Sequence, residues 1–156
     1  MPHDLTSGTS HSPIVVTSSN DADVGWEGWH LFDGVLKLGE GGPQTGTWWV
    51  EPFSNPAWVK IDLGVGNETI CGSYSLKAYH AEYYYTPKNW TLQGSNNDAD
   101  WYVVDTKTNV TPWDTWELKT FNCDVVTTAY RYFKLNITAI NGVSDLVLNE
   151  MYMYEA

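Results

Sequence analysis

Positive charge is scarce in this 156-residue chain. It contains 8 Lys and Arg residues against 19 Asp and Glu residues, which gives a formal net charge of −11, and Arg131 is its only arginine. A charge of this size and sign repels phosphate backbones and anionic lipid surfaces. We therefore expect no nucleic-acid partner and no acidic membrane surface as a partner.

Long apolar runs are also absent. No window approaches the roughly 18 consecutive apolar residues of a membrane-spanning helix, and residues 1–20 lack the basic start and apolar core of a secretory signal. No segment shows the i, i+3, i+4, i+7 spacing of a long amphipathic helix. The sequence predicts no membrane insertion, no export signal of its own and a fold without long helices.

Motifs of catalytic sites are missing as well. The 4 histidines form no H-x-x-x-H pair, and there is no C-x-x-C pair, nucleophile elbow or glycine-rich phosphate loop before a helix. Paired carboxylates can hydrolyse glycosidic bonds, but among 19 acidic residues such pairs arise by chance. We therefore expect no enzymatic activity.

Cysteine is limited to Cys71 and Cys123. In an oxidising compartment these two residues could form a disulfide, whereas elsewhere two cysteines are ordinarily buried thiols. The sequence leaves both possibilities open.

Aromatic residues, in contrast, are abundant. The chain has 9 Trp, 10 Tyr and 4 Phe, and it combines 42% apolar residues with only 17% charged residues. This balance is typical of a folded chain, and the length fits one domain. We expect a flexible polar arm at residues 1–12 and one domain at residues 13–156.

Apolar and polar residues alternate with period two in eight short runs, which are separated by turn-rich segments without helices. Strands at this density predict an all-β fold, an antiparallel β-sandwich with Greek-key or jelly-roll connections. Strand positions place Trp49, Trp58, Trp90 and Trp101 in the expected core. The eight runs cover residues 14–18, 58–63, 73–78, 90–94, 101–105, 116–121, 130–137 and 146–154.

Eight blocks of sequence, in order and spacing, resemble one known family. They include W-H-L-F-D-G at residues 29–34, W-V-K-I-D-L-G at residues 58–64, P-K-N-W-T-L-Q-G-S-N at residues 87–96 and L-N-E-M-Y-M-Y at residues 148–154. These blocks resemble the discoidin domains, also called coagulation factor V/VIII type C domains. Within them the chain looks most like family 32 carbohydrate-binding modules and the discoidin-like modules of bacterial and phage surface proteins. The resemblance implies a galactose-binding-like jelly roll that acts as a lectin.

The resemblance also implies a structural calcium ion between the Asp-Gly turn and the last strand. Calcium takes six to eight oxygen ligands from carboxylates and carbonyls, and the implied residues supply both kinds. The implied ligands are the carboxylates of Asp33 and Glu150, the hydroxyl and carbonyl of Thr47, and the backbone carbonyls of His30, Val35 and Asn149.

One departure from the family pattern bears on this site. Residues 35–46 lengthen the connection between the Asp-Gly turn and Thr47, so Thr47 is the ligand whose reach the sequence leaves open. In the alternative without an ion, Asp33 caps its own turn and Glu150 pairs with a cation such as Arg131 or Lys60.

Three loops, at residues 26–30, 48–53 and 79–88, combine aromatic residues with polar ones. A sugar needs this combination, because its C–H face stacks on an aromatic ring and its hydroxyls take directed hydrogen bonds. The resemblance places a binding site in these loops and in residues 140–145, although this chain lacks the family's usual arginine in the third loop and any aromatic in the last. The candidate ligand-binding residues are Trp26, His30, Trp48, Glu51, His80, Glu82, Tyr83, Tyr84 and Asn141.

We interpret the chain as a non-catalytic carbohydrate-binding module. It would attach a larger surface, virion or secreted protein, such as a phage tail protein, to glycans on a cell surface or in a polysaccharide, and would act extracellularly or on a virion surface. The alternative is a protein-binding adhesion or receptor-recognition module of the same fold, because exposed Trp and Tyr side chains suit both kinds of partner.

Overall fold

The structure of the protein is a computed structural model that describes residues 14–19, 27–32, 49–53, 55–78, 85–142 and 144–156. These residues form nine β-strands and one short 3-10 helix. The elements are β1 (Val15–Ser18), η1 (Gly28–Phe32), β2 (Trp49–Pro52), β3 (Ala57–Asp62), β4 (Cys71–Ala78), β5 (Pro87–Ser95), β6 (Tyr102–Lys107), β7 (Leu118–Asn122), β8 (Tyr132–Ile140) and β9 (Asp145–Glu155).

The strands pair into two antiparallel sheets. Sheet A has the order β1-β3-β8-β5-β6, and sheet B has the order β2-β9-β4-β7. All eight runs of alternating residues correspond to strands, so the predicted all-β sandwich is confirmed. Its strand ends differ from the predicted ones by up to three residues: β5 begins three residues earlier, whereas β7 and β8 begin two residues later.

The period-two pattern determines which face of each strand is buried. In β3, Ala57, Val59 and Ile61 are buried while the residues between them are half-buried. In β8, Phe133 and Leu135 are buried in the same way. These residues meet side chains from sheet B, because successive residues of a strand point to opposite faces. The largest fully buried side chains are Trp49, Trp90, Tyr74, Phe133, Leu31, Leu76, Leu92, Leu135, Ile137, Leu146 and Leu148.

Two of the four tryptophans predicted for the core occupy other positions. Trp49 and Trp90 are buried as expected, but Trp58 and Trp101 are only half-buried. Trp58 alternates with the inward residues of β3 and therefore lies on the outer face of sheet A. The Trp101 ring stacks with the Lys134 ammonium, 4.0 Å from the ring centroid. Aromatic character alone did not distinguish the two faces of the sheet.

A chain of buried polar groups connects the two sheets. The Trp90 indole nitrogen donates to the Tyr74 hydroxyl at 2.7 Å, and that hydroxyl donates to the Asp105 carboxylate at 2.6 Å. Lys107 donates to the other oxygen of Asp105. Burial, followed by the hydrogen bond to Asp105, raises the pKa of Tyr74. The phenol therefore stays protonated and acts as the donor that this network requires.

Two elements were not predicted from the sequence. β2 has only four residues and ends at Pro52, which is tolerated because β2 is an edge strand of sheet B. η1 has five residues, too few for a recognisable helical period. Residues 1–12, the predicted arm, lie outside the described residues. None of the described helices is long and apolar enough to cross a membrane.

Strand directions give the sandwich two distinct ends. Pairing of Ala57 with Ile137 and of Pro87 with Ile140 places the starts of β3 and β5 beside the end of β8. In sheet B, Pro52 pairs with Asp145, so β2 ends where β9 begins. We call this the loop end. The opposite end carries residues 63–70, 96–101 and 123–131, and there Thr69 pairs with Tyr130.

Candidate functional site

The loop end gathers the connections in which the sequence predicted a ligand site. The Phe53 amide donates to the Ser144 carbonyl at 2.9 Å, which joins the β2–β3 and β8–β9 connections. The Ala78 amide donates to the Glu117 carbonyl at 2.8 Å, which joins the end of β4 to the β6–β7 connection. Main-chain hydrogen bonds therefore hold separate loops together as one surface.

Asn141 is the centre of this arrangement. Its amide nitrogen Nδ2 donates to the Thr86 hydroxyl at 3.0 Å, to the Val110 carbonyl at 3.1 Å and to the Pro87 carbonyl at 3.3 Å. Its backbone amide donates to the Thr86 carbonyl at 2.9 Å. The predicted ligand residue Asn141 thus fixes three connections to one another, and its Nδ2 atom is engaged by acceptors of the protein itself.

A fourth aromatic loop, at residues 108–117, also belongs to the loop end. Trp113 is buried and its indole nitrogen donates to the Pro87 carbonyl at 3.1 Å. Trp116 is half-buried and has a φ of 60°, which is uncommon for a residue other than glycine. The sequence prediction did not include this loop. The segment W-D-T-W at residues 113–116 carries the same aromatic and acidic signal as the three loops that were included.

Ion pairs hold this fourth loop in place. The Lys119 ammonium donates to Glu117 at 2.7 Å and lies 5.2 Å from the Trp113 ring centroid. The other carboxylate oxygen of Glu117 accepts the Asp114 amide at 2.8 Å. Burial opposes ionisation of Glu117, but these hydrogen bonds outweigh it and lower its pKa. Glu117 is therefore a carboxylate that anchors the loop.

His30 lies beneath the surface of the loop end. It is 1% exposed, its Nε2 atom is 3.1 Å from the Glu27 carboxylate, and its ring centroid is 3.7 Å from that of Trp29. η1, which carries His30, packs against β9, β1 and β2. A ligand would therefore reach the half-buried Trp29 and Glu27 before it reached the imidazole.

Three of the six implied calcium ligands are among the described residues. His30, Asn149 and Glu150 are all at most 1% exposed. Lys77 pairs with Glu150 while Ala78 pairs with Leu148, so Asn149 is the extra residue of a β-bulge. Within the described residues, no three His, Cys, Asp or Glu side chains form a group that could hold a metal ion. Asp33, Val35 and Thr47 lie outside the described residues.

The two cations considered as alternative partners for Glu150 have other partners. Arg131 binds Asp62 through two hydrogen bonds, Nε to Oδ1 at 2.7 Å and Nη2 to Oδ2 at 2.8 Å. Lys60 binds Asp98 at 2.7 Å. The hydrogen bond from Arg131 lowers the pKa of Asp62. The suggested pairing of Glu150 with Arg131 or Lys60 was wrong, because both cations form ion pairs with other carboxylates on the outer face of sheet A.

Of the predicted sugar contacts, His30 and Asn141 are described in full and Glu51 only by its backbone. The backbone of Glu51 pairs with Leu146 at the edge of sheet B. The side chain of Glu51 and the residues Trp26, Trp48, His80, Glu82, Tyr83 and Tyr84 lie outside the described part of the chain.

A sandwich of two antiparallel sheets is the architecture of a discoidin-like module. The model of the F5/F8 type C family described as the NedA-like, galactose-binding domain matches residues 30–135. The chain belongs to this family. No curated protein matches its sequence significantly.

Solved structures with the same fold include carbohydrate-binding modules. The family 32 module of NanJ from Clostridium perfringens, solved in complex with galactose, is 13% identical, with a TM-score of 0.66 over 91% of this chain and 93% of that one. A family 32 module of CpGH89 from Clostridium perfringens, in complex with GalNAc-β-1,3-galactose, is 14% identical, with a TM-score of 0.64 over 90% and 94%. Chitosan-binding module 1 of a Paenibacillus sp. IK-5 chitosanase/glucanase is 18% identical, with a TM-score of 0.62 over 90% and 93%. At these identities the similarity establishes the fold.

Proposed function

We propose that this chain is a non-catalytic carbohydrate-binding module whose loop end binds a glycan. Membership of a galactose-binding domain family is the observation that carries the proposal. Structural relatives were solved with galactose and with GalNAc-β-1,3-galactose, which makes galactose-containing glycans the first ligands to test.

The loop end has the properties that such a ligand requires. Hydrogen bonds from Asn141 to Thr86 and Val110 hold the described parts of three connections together, which preorganises that part of the surface. Half-buried Trp29 and Trp116 supply aromatic surface at this end, and Glu27 supplies a carboxylate. The predicted contacts Trp26, His80, Glu82 and Tyr84 fall in connections that start or finish there. Aromatic surface beside a few polar groups is the usual composition of a sugar site.

In this proposal the module serves a larger protein. A domain that only binds glycans is useful when it brings another activity or assembly to a glycan-bearing surface. We therefore propose that it attaches a surface, virion or secreted protein to cell-surface glycans or to a polysaccharide, outside the cell.

We also propose that the module holds one calcium ion for stability. Glu150 is a buried carboxylate of β9, and carboxylate oxygens are ligands that calcium prefers. η1, which carries His30, packs against β9, the strand that carries Asn149 and Glu150. These residues fit an oxygen-ligated ion, for which Asp33 would supply the second carboxylate and Thr47 and Val35 further oxygens. The ion would connect the η1 region to β9.

A glycan array probed with the purified chain tests the proposed function. We expect selective binding of galactose- or GalNAc-terminated glycans, with no hydrolysis of the bound oligosaccharides. Failure to bind any glycan on a broad array, while the protein still binds polypeptides, would favour the adhesion alternative. Turnover of an oligosaccharide that disappears when one carboxylate is replaced would contradict the non-catalytic part.

A further inference from the structure

Cys71 and Cys123 lie side by side in sheet B, away from the loop end. Cys71 is the first residue of β4, Cys123 follows the last residue of β7, and their Sγ atoms are 3.6 Å apart. The Cys123 amide donates to the Gly72 carbonyl at 3.0 Å, which holds Cys123 against the start of β4. Both residues are free thiols in this structure.

A bulge at Gly72 brings the two side chains together. Tyr74, Leu76 and Ala78 of β4 face the core, and strict alternation would turn residue 71 outward. Pairing with β9 passes from Ser73 directly to Cys71, so Gly72 is an extra residue and Cys71 turns inward. A Cβ atom at residue 72 would lie 2.7 Å from the Ala156 Cα atom, which explains why glycine occupies the bulge.

The two thiols differ in accessibility and acidity. Cys71 is 1% exposed, whereas Cys123 is half-buried and open to solvent. The contact between the two thiols lowers the pKa of Cys123; nearby Lys107 acts in the same direction, while burial and Asp105 oppose it. The same interaction, followed by burial, raises the pKa of Cys71. Cys123 is therefore the first nucleophile and Cys71 the second, since the thiolate is the reactive form.

We propose that Cys71 and Cys123 are a site of oxidative cross-linking, at which a low-molecular-weight disulfide such as oxidised glutathione converts them into one intramolecular disulfide. In the first step Cys123 Sγ, having lost its proton, attacks one sulfur of oxidised glutathione. The S–S bond breaks, and one glutathione leaves with the electron pair and takes up a proton.

In the second step the Cys71 thiol loses its proton to solvent, and its Sγ attacks Cys123 Sγ. The mixed disulfide breaks and the second glutathione leaves as a thiol. Two protein thiols are thereby oxidised, and one small disulfide is reduced to two thiols. The 3.6 Å separation of the two Sγ atoms favours this second step over accumulation of the mixed disulfide.

The cross-link would stabilise the exposed edge of sheet B. β7 is an edge strand and pairs with β4 alone among the described strands. Phe121 of β7 packs against Tyr74 and Trp90, so detachment of β7 would uncover the core. The segment between Cys71 and Cys123 contains strands of both sheets. A disulfide that closes so long a segment restricts the conformations of the unfolded chain.

The test treats the native protein with oxidised glutathione and measures its intact mass. We expect the mass to fall by two hydrogen atoms, without a lasting glutathione adduct or a dimer. The melting temperature (Tm) should rise by about 5–15 °C over the reduced protein. A lasting adduct, a disulfide-linked dimer or two unreacted thiols would overturn the proposal.

Single replacements test the order of the two steps. In Cys71→Ser the reaction should stop with one glutathione on Cys123. In Cys123→Ser the buried Cys71 should remain unmodified, and the Tm should not change with oxidant. These readouts need folded variants, which far-UV circular dichroism verifies; if either serine variant unfolds, the alanine variant at that position provides the same test. Fast glutathione addition to Cys71 in Cys123→Ser would contradict the assigned roles.

Discussion

At the scale of single residues, the contacts of Arg131 show how a cation is paired in this acidic chain. Arg131 makes two hydrogen bonds to Asp62 and its guanidinium carbon lies 4.6 Å from the Tyr132 ring centroid. The flat guanidinium matches a carboxylate edge and an aromatic face at once, which an ammonium cannot do. The only arginine therefore connects the start of β8 to the end of β3. The sequence suggested Glu150 as a partner of Arg131, whereas its actual partner is Asp62, 69 positions away.

This ion pair predicts a specific dependence of stability on pH. Because the pKa of Asp62 is lower in the folded state than its ordinary value of 3.8, the ionised carboxylate stabilises the fold. That contribution is complete above 3.8 and is lost as the pH falls through the lower, folded pKa.

The measurement compares the Tm of the wild type with that of Arg131→Met over a pH series. The wild type should melt higher at neutral pH, and the difference should shrink below pH 3.8. Asp62→Asn serves as the control, since its own difference from the wild type should shrink over the same range. A difference that stays constant down to the lowest pH would contradict the assignment.

At the scale of elements, bulges are the features that the sequence did not reveal. Period-two alternation predicted eight strands, yet Asn149 in β9 and Gly72 in β4 each add one residue and reverse the pattern locally. After Asn149 the core positions pass from Leu146 and Leu148 to Met151 and Met153. A reversal depends on the pairing register, which is a property of two strands and cannot be read from one. The local alternation in β9 therefore did not predict that the Glu150 carboxylate is buried.

Gly94 in β5 provides a test of strand packing. A Cβ atom there would lie 2.3 Å from Cδ2 of Tyr130, so the buried Tyr130 ring depends on the missing side chain. Gly94→Ala should lower the free energy of unfolding by about 1–3 kcal/mol, as measured by urea denaturation. In a Tyr130→Ala background the same change should cost much less, because the ring is gone. An equal cost in both backgrounds would show that another contact is responsible.

The proposed calcium ion belongs to β9 and η1. We expect calcium to raise the Tm relative to chelator, with a stabilisation of about 2.7 kcal/mol when free calcium is a hundredfold above its dissociation constant. Asp33→Asn combined with Glu150→Gln should abolish this shift while the sandwich still forms. Because ligand carboxylates must be ionised, the shift should fade in mild acid. Identical melting curves in excess calcium and in chelator would reject the ion.

At the scale of the whole molecule, the two sheets share one core and the proposed binding site lies in the connections outside it. Both sheets contribute to one core, and the connections at one end are joined by Asn141 and by main-chain hydrogen bonds. The blocks of sequence that predicted the family are mostly scaffold positions, which explains why the fold and family were predictable. The composition of the loop end was predicted less completely: the loop at residues 108–117 was not included, and His30, a predicted contact, is buried. Which loops meet at one end follows from strand order, which alternation does not reveal.

The most direct measurement is the affinity of the intact protein for its best array glycan, compared between variants at the two ends of the sandwich. We predict that Trp26→Ala and Tyr84→Ala each weaken binding by at least about 1 kcal/mol, roughly fivefold, with the Tm nearly unchanged. Tyr102→Ala is the matched control, because Tyr102 is 58% exposed at the opposite end, and it should leave the affinity unchanged. Equal losses at both ends, or loop-end variants that bind as tightly as the wild type, would contradict a glycan site at the loop end.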